Sequence, residues 1–170
     1  SNKIVAPGYT RTFEGEYGNV PGKREGQGSS TIYKDGKFYQ SFKGEFKKNK
    51  PHYGTEKYSN GYKYEGEYIN GYPSFGKLYA PPSDKQALYI GGLNSKLQPN
   101  GFGRIVLDNK TLAIGEFKGS TRLEGLGFGF VDNQKKFAAL FSNDEPKFGI
   151  TEQQLKILQD KEKAFLKREI

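Results

Sequence analysis

Two pairs of carboxylates, Glu14 with Glu16 and Glu65 with Glu67, stand two residues apart. On a β-strand that spacing projects both members from one face, and two facing carboxylates are what glycoside hydrolysis requires of its acid and its nucleophile. Glu65 and Glu67 would be the pair to carry it. However, Glu16, Glu45, Glu67 and Glu116 recur at one equivalent position along the chain, as a periodic surface ladder does. Nothing in the flanking residues marks one of them as acid and another as nucleophile. His52, the only histidine, lies in Lys47-Lys-Asn-Lys-Pro-His-Tyr53, which reads as an exposed hairpin connection offering it no base or metal partner. Gly125-Leu-Gly-Phe-Gly129 has the glycine density of a phosphate loop, but such loops open a helix, and here Phe130-Val131-Asp132 continues as strand. The absence of cysteine excludes thiolate zinc sites, cysteine nucleophiles and disulfides. The expectation is a chain without catalytic residues, cofactor or metal.

The elements that would position any site follow from the composition. Of 170 residues, 34% are hydrophobic, and 12 Tyr and 13 Phe supply much of that share, alongside 23 Gly and neither Met nor Trp. Disordered chains are poor in large rings, so this composition points to many short strands joined by glycine-containing turns. No stretch has the apolar length of a membrane span and the first residues lack the apolar core of a secretory signal, so a cytoplasmic location is expected. Without such a signal, the glycosylation pattern Asn109-Lys-Thr111 is read as coincidence.

Six segments align with one another: Phe13-Glu-Gly-Glu-Tyr17, Phe42-Lys-Gly-Glu-Phe46, Tyr64-Glu-Gly-Glu-Tyr68, Tyr89-Ile-Gly-Gly-Leu93, Ala113-Ile-Gly-Glu-Phe117 and Phe137-Ala-Ala-Leu-Phe141. Their starts are 29, 22, 25, 24 and 24 residues apart. Each of the first five is followed by a second glycine-bearing strand, at Gly26-Gln-Gly28, Gly54, Gly76, Gly101-Phe-Gly103 and Gly127-Phe-Gly129. Tyr33-Lys-Asp-Gly36 and Tyr58-Ser-Asn-Gly61 add turn signals, because Asp-Gly and Asn-Gly tolerate positive φ. Alternation puts both aromatics and the central glycine of each segment on one face, where a ring can lie over bare backbone. One hairpin is marginal in water; a stack of them buries a shared aromatic stripe.

This pattern resembles the MORN repeat family, whose repeat runs aromatic-x-Gly-x-aromatic, then Asn or Asp with Gly, then Gly-x-Gly. Tyr64-Glu-Gly-Glu-Tyr-Ile-Asn-Gly71 matches best, and the likeness covers about residues 13 to 149. The resemblance implies an all-β fold: an elongated, twisted antiparallel sheet of stacked hairpins. The expected organisation is an N-terminal extension over 1–12, a repeat array over 13–149 and a C-terminal amphipathic helix over 150–170. Departures from the pattern are an insertion around Asn19 to Glu25, the Pro81-Pro82-Ser83-Asp84 loop, Ala113 in place of an aromatic, and Ala139 in place of a glycine. The helix begins at a capping box, Thr151-Glu-Gln-Gln154, and carries an apolar stripe of Leu155, Leu158, Phe165 and Leu166 interrupted by Glu162. It is expected to fold back over the edge of the final hairpin, or else to dock a partner helix.

Charge is uneven. The net charge is +8, and residues 1–63 hold twelve Lys/Arg against six Asp/Glu. Lys43, Lys47, Lys48, Lys50, Lys57 and Lys63 cluster in the second repeat, as a solvated hairpin edge or as a surface for anionic phospholipid. Interleaved basic and aromatic residues also suit single-stranded nucleic acid, but the repeat needs its rings for the core, so nucleic acid is not expected.

The functional expectation is a scaffold that presents an aromatic face to an extended or helical segment of a protein partner. Tyr17, Phe46, Tyr68, Phe117 and Phe141 would be contacts where exposed, with Glu16, Glu45, Glu67 and Glu116 beside them. Binding to an anionic membrane through the basic repeat is the alternative, and pairing into a homodimer is open. Known members of the family include junctophilins, radial spoke head proteins and apicomplexan cytoskeletal proteins, so the resemblance implies a cytoskeletal or ciliary assembly.

Overall fold

A computed structural model describes residues 2–18, 22–81 and 88–169. The described residues form thirteen strands and one helix: β1 Asn2–Ala6, β2 Tyr9–Tyr17, β3 Arg24–Lys34, β4 Lys37–Lys47, β5 Lys50–Tyr58, β6 Lys63–Ile69, β7 Tyr72–Tyr79, β8 Tyr89–Leu93, β9 Pro99–Leu107, β10 Lys110–Lys118, β11 Leu123–Val131, β12 Gln134–Ser142, β13 Glu145–Lys147 and α1 Glu152–Glu169. The fold is an open antiparallel sheet in which each strand pairs with its neighbours in the chain. The residues divide into two compact units, Ser1–Ser74 with Leu78–Asp84, and Phe75–Lys77 with Lys85–Ile170.

The hairpins follow from their turn residues. Asp35-Gly36, Lys48-Asn49, Asn70-Gly71, Asp108-Asn109, Asp132-Asn133 and Asn143-Asp144 each hold two consecutive positive φ angles between 50° and 81°, the two-residue turn whose twist matches that of the flanking strands. Several of these turns also tie back to an earlier strand. Asn49 Oδ1 accepts from Arg24 N at 3.1 Å, Asn133 Oδ1 from Thr111 N at 2.7 Å and Asp144 Oδ1 from Leu123 N at 2.6 Å. In these three turns the side chain at the second position thus fixes the hairpin to an earlier strand.

Residues 2–6, expected to lie in an N-terminal extension, pair with β2, with Asn2 opposite Thr12 and Ala6 opposite Tyr9. Pro7-Gly8 makes the turn, Gly8 having φ 81°, a combination that proline followed by glycine favours. The insertion at Asn19 to Glu25 and the Pro81-Pro82-Ser83-Asp84 loop fall partly outside the described residues.

In the first unit a row of glycines crosses five strands, with Gly15 opposite Gly28, Gly28 opposite Gly44, Gly44 opposite Gly54 and Gly54 opposite Gly66. The second unit has the same row, Gly91, Gly103, Gly115, Gly127 and then Ala139, which is fully buried. Rings lie over these rows: Phe42 Cζ stands 2.8 Å from where a Cβ on Gly54 would be. Beside the glycines in the first unit, six rings form an edge-to-face chain, Tyr17, Phe13, Phe46, Phe42, Tyr68 and Tyr64, with centroids 5.1 to 5.3 Å apart. Such contacts add about 0.5–1.5 kcal/mol each beyond area burial.

The opposite faces of the two units differ in chemistry. In the first unit the residue between aromatic and glycine is Glu14, Lys43 or Glu65; in the second it is Ile90 or Ile114, both buried. Ile90 and Ile114 join Phe75, Val106 and Phe165 of α1 in one apolar cluster. The helix accordingly packs on β8 to β11. This corrects the expectation that it covers the last hairpin's edge: a sheet with two apolar faces leaves one for a helix to bury. The capping box forms as read, Gln154 N donating to Thr151 Oγ1 at 3.0 Å and Thr151 N to Gln154 Oε1 at 2.8 Å. Glu162, which breaks the apolar stripe, is buried and accepts from Lys135 Nζ at 2.7 Å. Lys161 pairs with Glu116, and Arg104 with Glu169.

Candidate binding surfaces

The five rings expected as partner contacts divide sharply. Phe46, Tyr68, Phe117 and Phe141 are 1%, 4%, 1% and 6% exposed, and only Tyr17, at 51%, has surface to offer. Packing against the first rings of the repeats, Phe42, Tyr89 and Phe137, covers them, so those four belong to the core and not to a docking face. Tyrosine in place of phenylalanine at the first aromatic position has a local use: Tyr89 Oη donates to the Gly92 carbonyl at 2.7 Å, and Tyr64 Oη to that of Glu67.

The glutamates of the ladder have separate tasks. Glu16 Oε1 accepts from Gln27 N at 3.3 Å across an irregularity in the β2–β3 register, and Glu45 lies 3.7 Å from His52 Nε2. Glu116 is engaged by Lys161 of α1. It serves this chain's own helix, which corrects its place on a partner-binding surface. His52 itself stands in β5 rather than in the connection, which is only two residues long.

The basic cluster also separates. Lys47, Lys48 and Lys50 are exposed around the β4–β5 turn, whereas alternation places Lys43, Lys57 and Lys63 on the polar face of the strands, where Lys57 faces Lys63. Lys63 Nζ lies 4.3 Å from the centroid of the Tyr79 ring.

Two cavities open among the ring-face residues. In the second unit a cavity of about 250 Å³ is lined by Ile105, Ala113, Leu123, Phe130, Phe137 and Phe141, among others. It arises where Ala113 replaces an aromatic: Leu123 reaches over Gly115 and Gly127, and Phe137 over Gly129, but neither fills the room of the missing ring. In the first unit a cavity of about 60 Å³ is lined by Arg11, Arg24, Ser30, Gln40, Phe42 and Glu56, with further residues around them. Arg24 is held by Nε donating to Asn49 Oδ1 at 2.7 Å and Nη2 to the Asn49 carbonyl at 2.8 Å, and its guanidinium lies 5.2 Å from the Phe46 ring centroid. Burial, and secondarily the neighbouring Arg11 charge, lowers the Arg24 pKa to about 10. Burial also lowers that of Arg11.

Glu56, buried on the same face, accepts from Tyr58 Oη at 2.7 Å, Gln40 Nε2 at 3.1 Å and Tyr68 Oη at 3.2 Å. Desolvation raises its pKa above the usual carboxylate range, while the two tyrosine hydrogen bonds act in the opposite direction. Burial and the Glu56 charge push both tyrosines up in turn. Arg11, Arg24 and Glu56 were missed by sequence reading because they lie outside the repeat positions. Their parity was a usable signal: Arg11 precedes Phe13 by two, and Glu56 follows Gly54 by two, so both face the rings.

No family model matches the chain, and no curated protein matches it.

Proposed function

We propose that the protein is a non-catalytic scaffold of the MORN-repeat type whose second unit accepts an apolar side chain from a protein partner. The observation that carries this reading is the cavity at Ala113, an apolar hollow of about 250 Å³ where the repeat would otherwise place a ring. A hollow bordered by Phe137 and Phe141 suits an aromatic or branched anchor, and anchors of that kind dominate protein interfaces. An extended or helical segment presents such an anchor most simply. The MORN resemblance favours assembly in the cytoplasm, at a cytoskeletal or ciliary structure.

Panning a random peptide library on the intact protein tests this. The expected result is enrichment of peptides with one large apolar anchor, and loss of about tenfold or more in affinity on Ala113→Phe, which fills the hollow. Peptides that bind Ala113→Phe as well as the wild type would overturn the reading, provided the variant keeps its urea midpoint.

A second reading rests on Lys47, Lys48 and Lys50, exposed together around one turn. These lysines would hold anionic phospholipid headgroups. Co-sedimentation with vesicles of phosphatidylcholine and phosphatidylserine should then weaken with salt and vanish in the triple Glu variant.

A further inference from the structure

We propose that Arg11 and Arg24 form a binding site for a phosphate group on the ring face of the first unit, separate from the exposed lysines of the β4–β5 turn.

Both guanidiniums line one small cavity and both are about half buried. Neither pairs with a carboxylate among the described residues. The one acid in the cavity wall, Glu56, takes its hydrogen bonds from Gln40, Tyr58 and Tyr68 instead. Arg11 Nε is buried and has no acceptor among the described residues. Two like charges drawn partly out of water, near enough to disfavour each other, are unfavourable unless an anion sits between them.

The site is built rather than incidental. Arg24 is fixed on one side by Asn49 and on its face by Phe46, with Phe13 also beneath it at 5.9 Å, so its remaining N–H edge is held in a set direction. Asn49 is the turn residue that ties the β4–β5 hairpin to β3, so the cation is oriented by the same contact that sets the repeat. Ser30 adds a hydroxyl to the wall.

The donor geometry favours phosphate over carboxylate. Glu56 is occupied by Gln40, Tyr58 and Tyr68, and guanidinium forks approaching from two strands suit a tetrahedral group better than a planar one. The cavity, at about 60 Å³, admits one such group and no folded segment. Its position among recessed rings favours a phosphate carried on a small soluble molecule over a headgroup lying in a bilayer.

The test is titration of the intact protein with inorganic phosphate at constant ionic strength, followed by the arginine Nε–H resonances in NMR. Parallel arms use acetate, and vesicles of phosphatidylcholine doped with phosphatidic acid. The expected result is a saturable shift of the Arg11 and Arg24 signals by phosphate, weaker by about tenfold for acetate. Arg11→Gln and Arg24→Lys should each weaken phosphate binding by about tenfold or more while Lys48→Gln leaves it unchanged. Arg11→Gln keeps the Asn49 contacts of Arg24, so it separates lost binding from lost folding. Unshifted arginine signals, a loss in Lys48→Gln as large as in the arginine variants, or response to the vesicles alone would each overturn the proposal.

Discussion

A methyl group added at Gly44 would press on the Tyr53 carbonyl and stand 2.7 Å from the Gly54 Cα, backbone that cannot yield without opening the sheet. At Gly36 an added Cβ meets nothing within 4 Å, and only the φ of 77° opposes it. The same substitution therefore has two magnitudes: Gly44→Ala should destabilise the protein by about 3 kcal/mol and Gly36→Ala by about 1 kcal/mol, read from urea midpoints. Sequence pattern gave away the first of these roles, because a ring stands two residues from Gly15, Gly44, Gly66, Gly91 and Gly115 alike. Glu56 carries a different prediction. Its folded-state pKa is raised above the unfolded value of about 4.5, so its contribution is most favourable below that pH and is lost as pH rises through the folded pKa. Relative to Glu56→Gln, the wild type should lose stability as pH climbs above about 4.5, and a difference in urea midpoint that is flat with pH would refute the shift. The spacing of Glu56 from Gly54 put it on the ring face, but the burial of a lone acid depends on which neighbours cover it.

At the scale of elements, the turns were legible at Asp35-Gly36, Asn60-Gly61 and Asn70-Gly71, and the helix start was legible in Thr151 to Gln154, whereas Asn100-Gly101 lies within β9. The docking of α1 was not, although its signal was present in Ile90 and Ile114, which stand where the earlier repeats carry Glu14, Lys43 and Glu65. A change from charge to isoleucine at one repeat position means that a second face has become apolar, a reading that needs the repeats compared column by column. Leu158, fully buried, faces the sheet, while Ile157 is 42% exposed. Leu158→Ala should destabilise the second unit by about 3 kcal/mol and Ile157→Ala by less than about 0.5 kcal/mol. Hydrogen exchange localises the effect: protection should fall in β8 to β11 and hold in β2 to β5. A uniform loss would mean that the helix supports more than the strands it touches.

For the molecule as a whole, the pairing order is the order of the chain, as the resemblance to the repeat family implied. What spacing could not reveal is which surfaces remain for a partner, since covering depends on how rings pack against one another, and four of the five expected contact rings are thereby consumed. The consequence for folding can be measured. Contacts between successive strands close short loops, whereas α1 joins strands distant in sequence, so docking should follow sheet formation. In stopped-flow experiments Leu158→Ala should speed unfolding about a hundredfold and leave refolding nearly unchanged, a φ-value near zero. A φ-value near one would place the helix in the nucleus.

That order has a meaning during synthesis. Each strand leaving the ribosome finds its partner already present, so the sheet can lengthen at the pace of translation without waiting for distant segments. Ile90, Val106 and Ile114 emerge well before the eighteen residues of α1 that shield them. For that interval the nascent second unit exposes a greasy face which only its own unfinished tail can cover, and a holding chaperone would find its moment there.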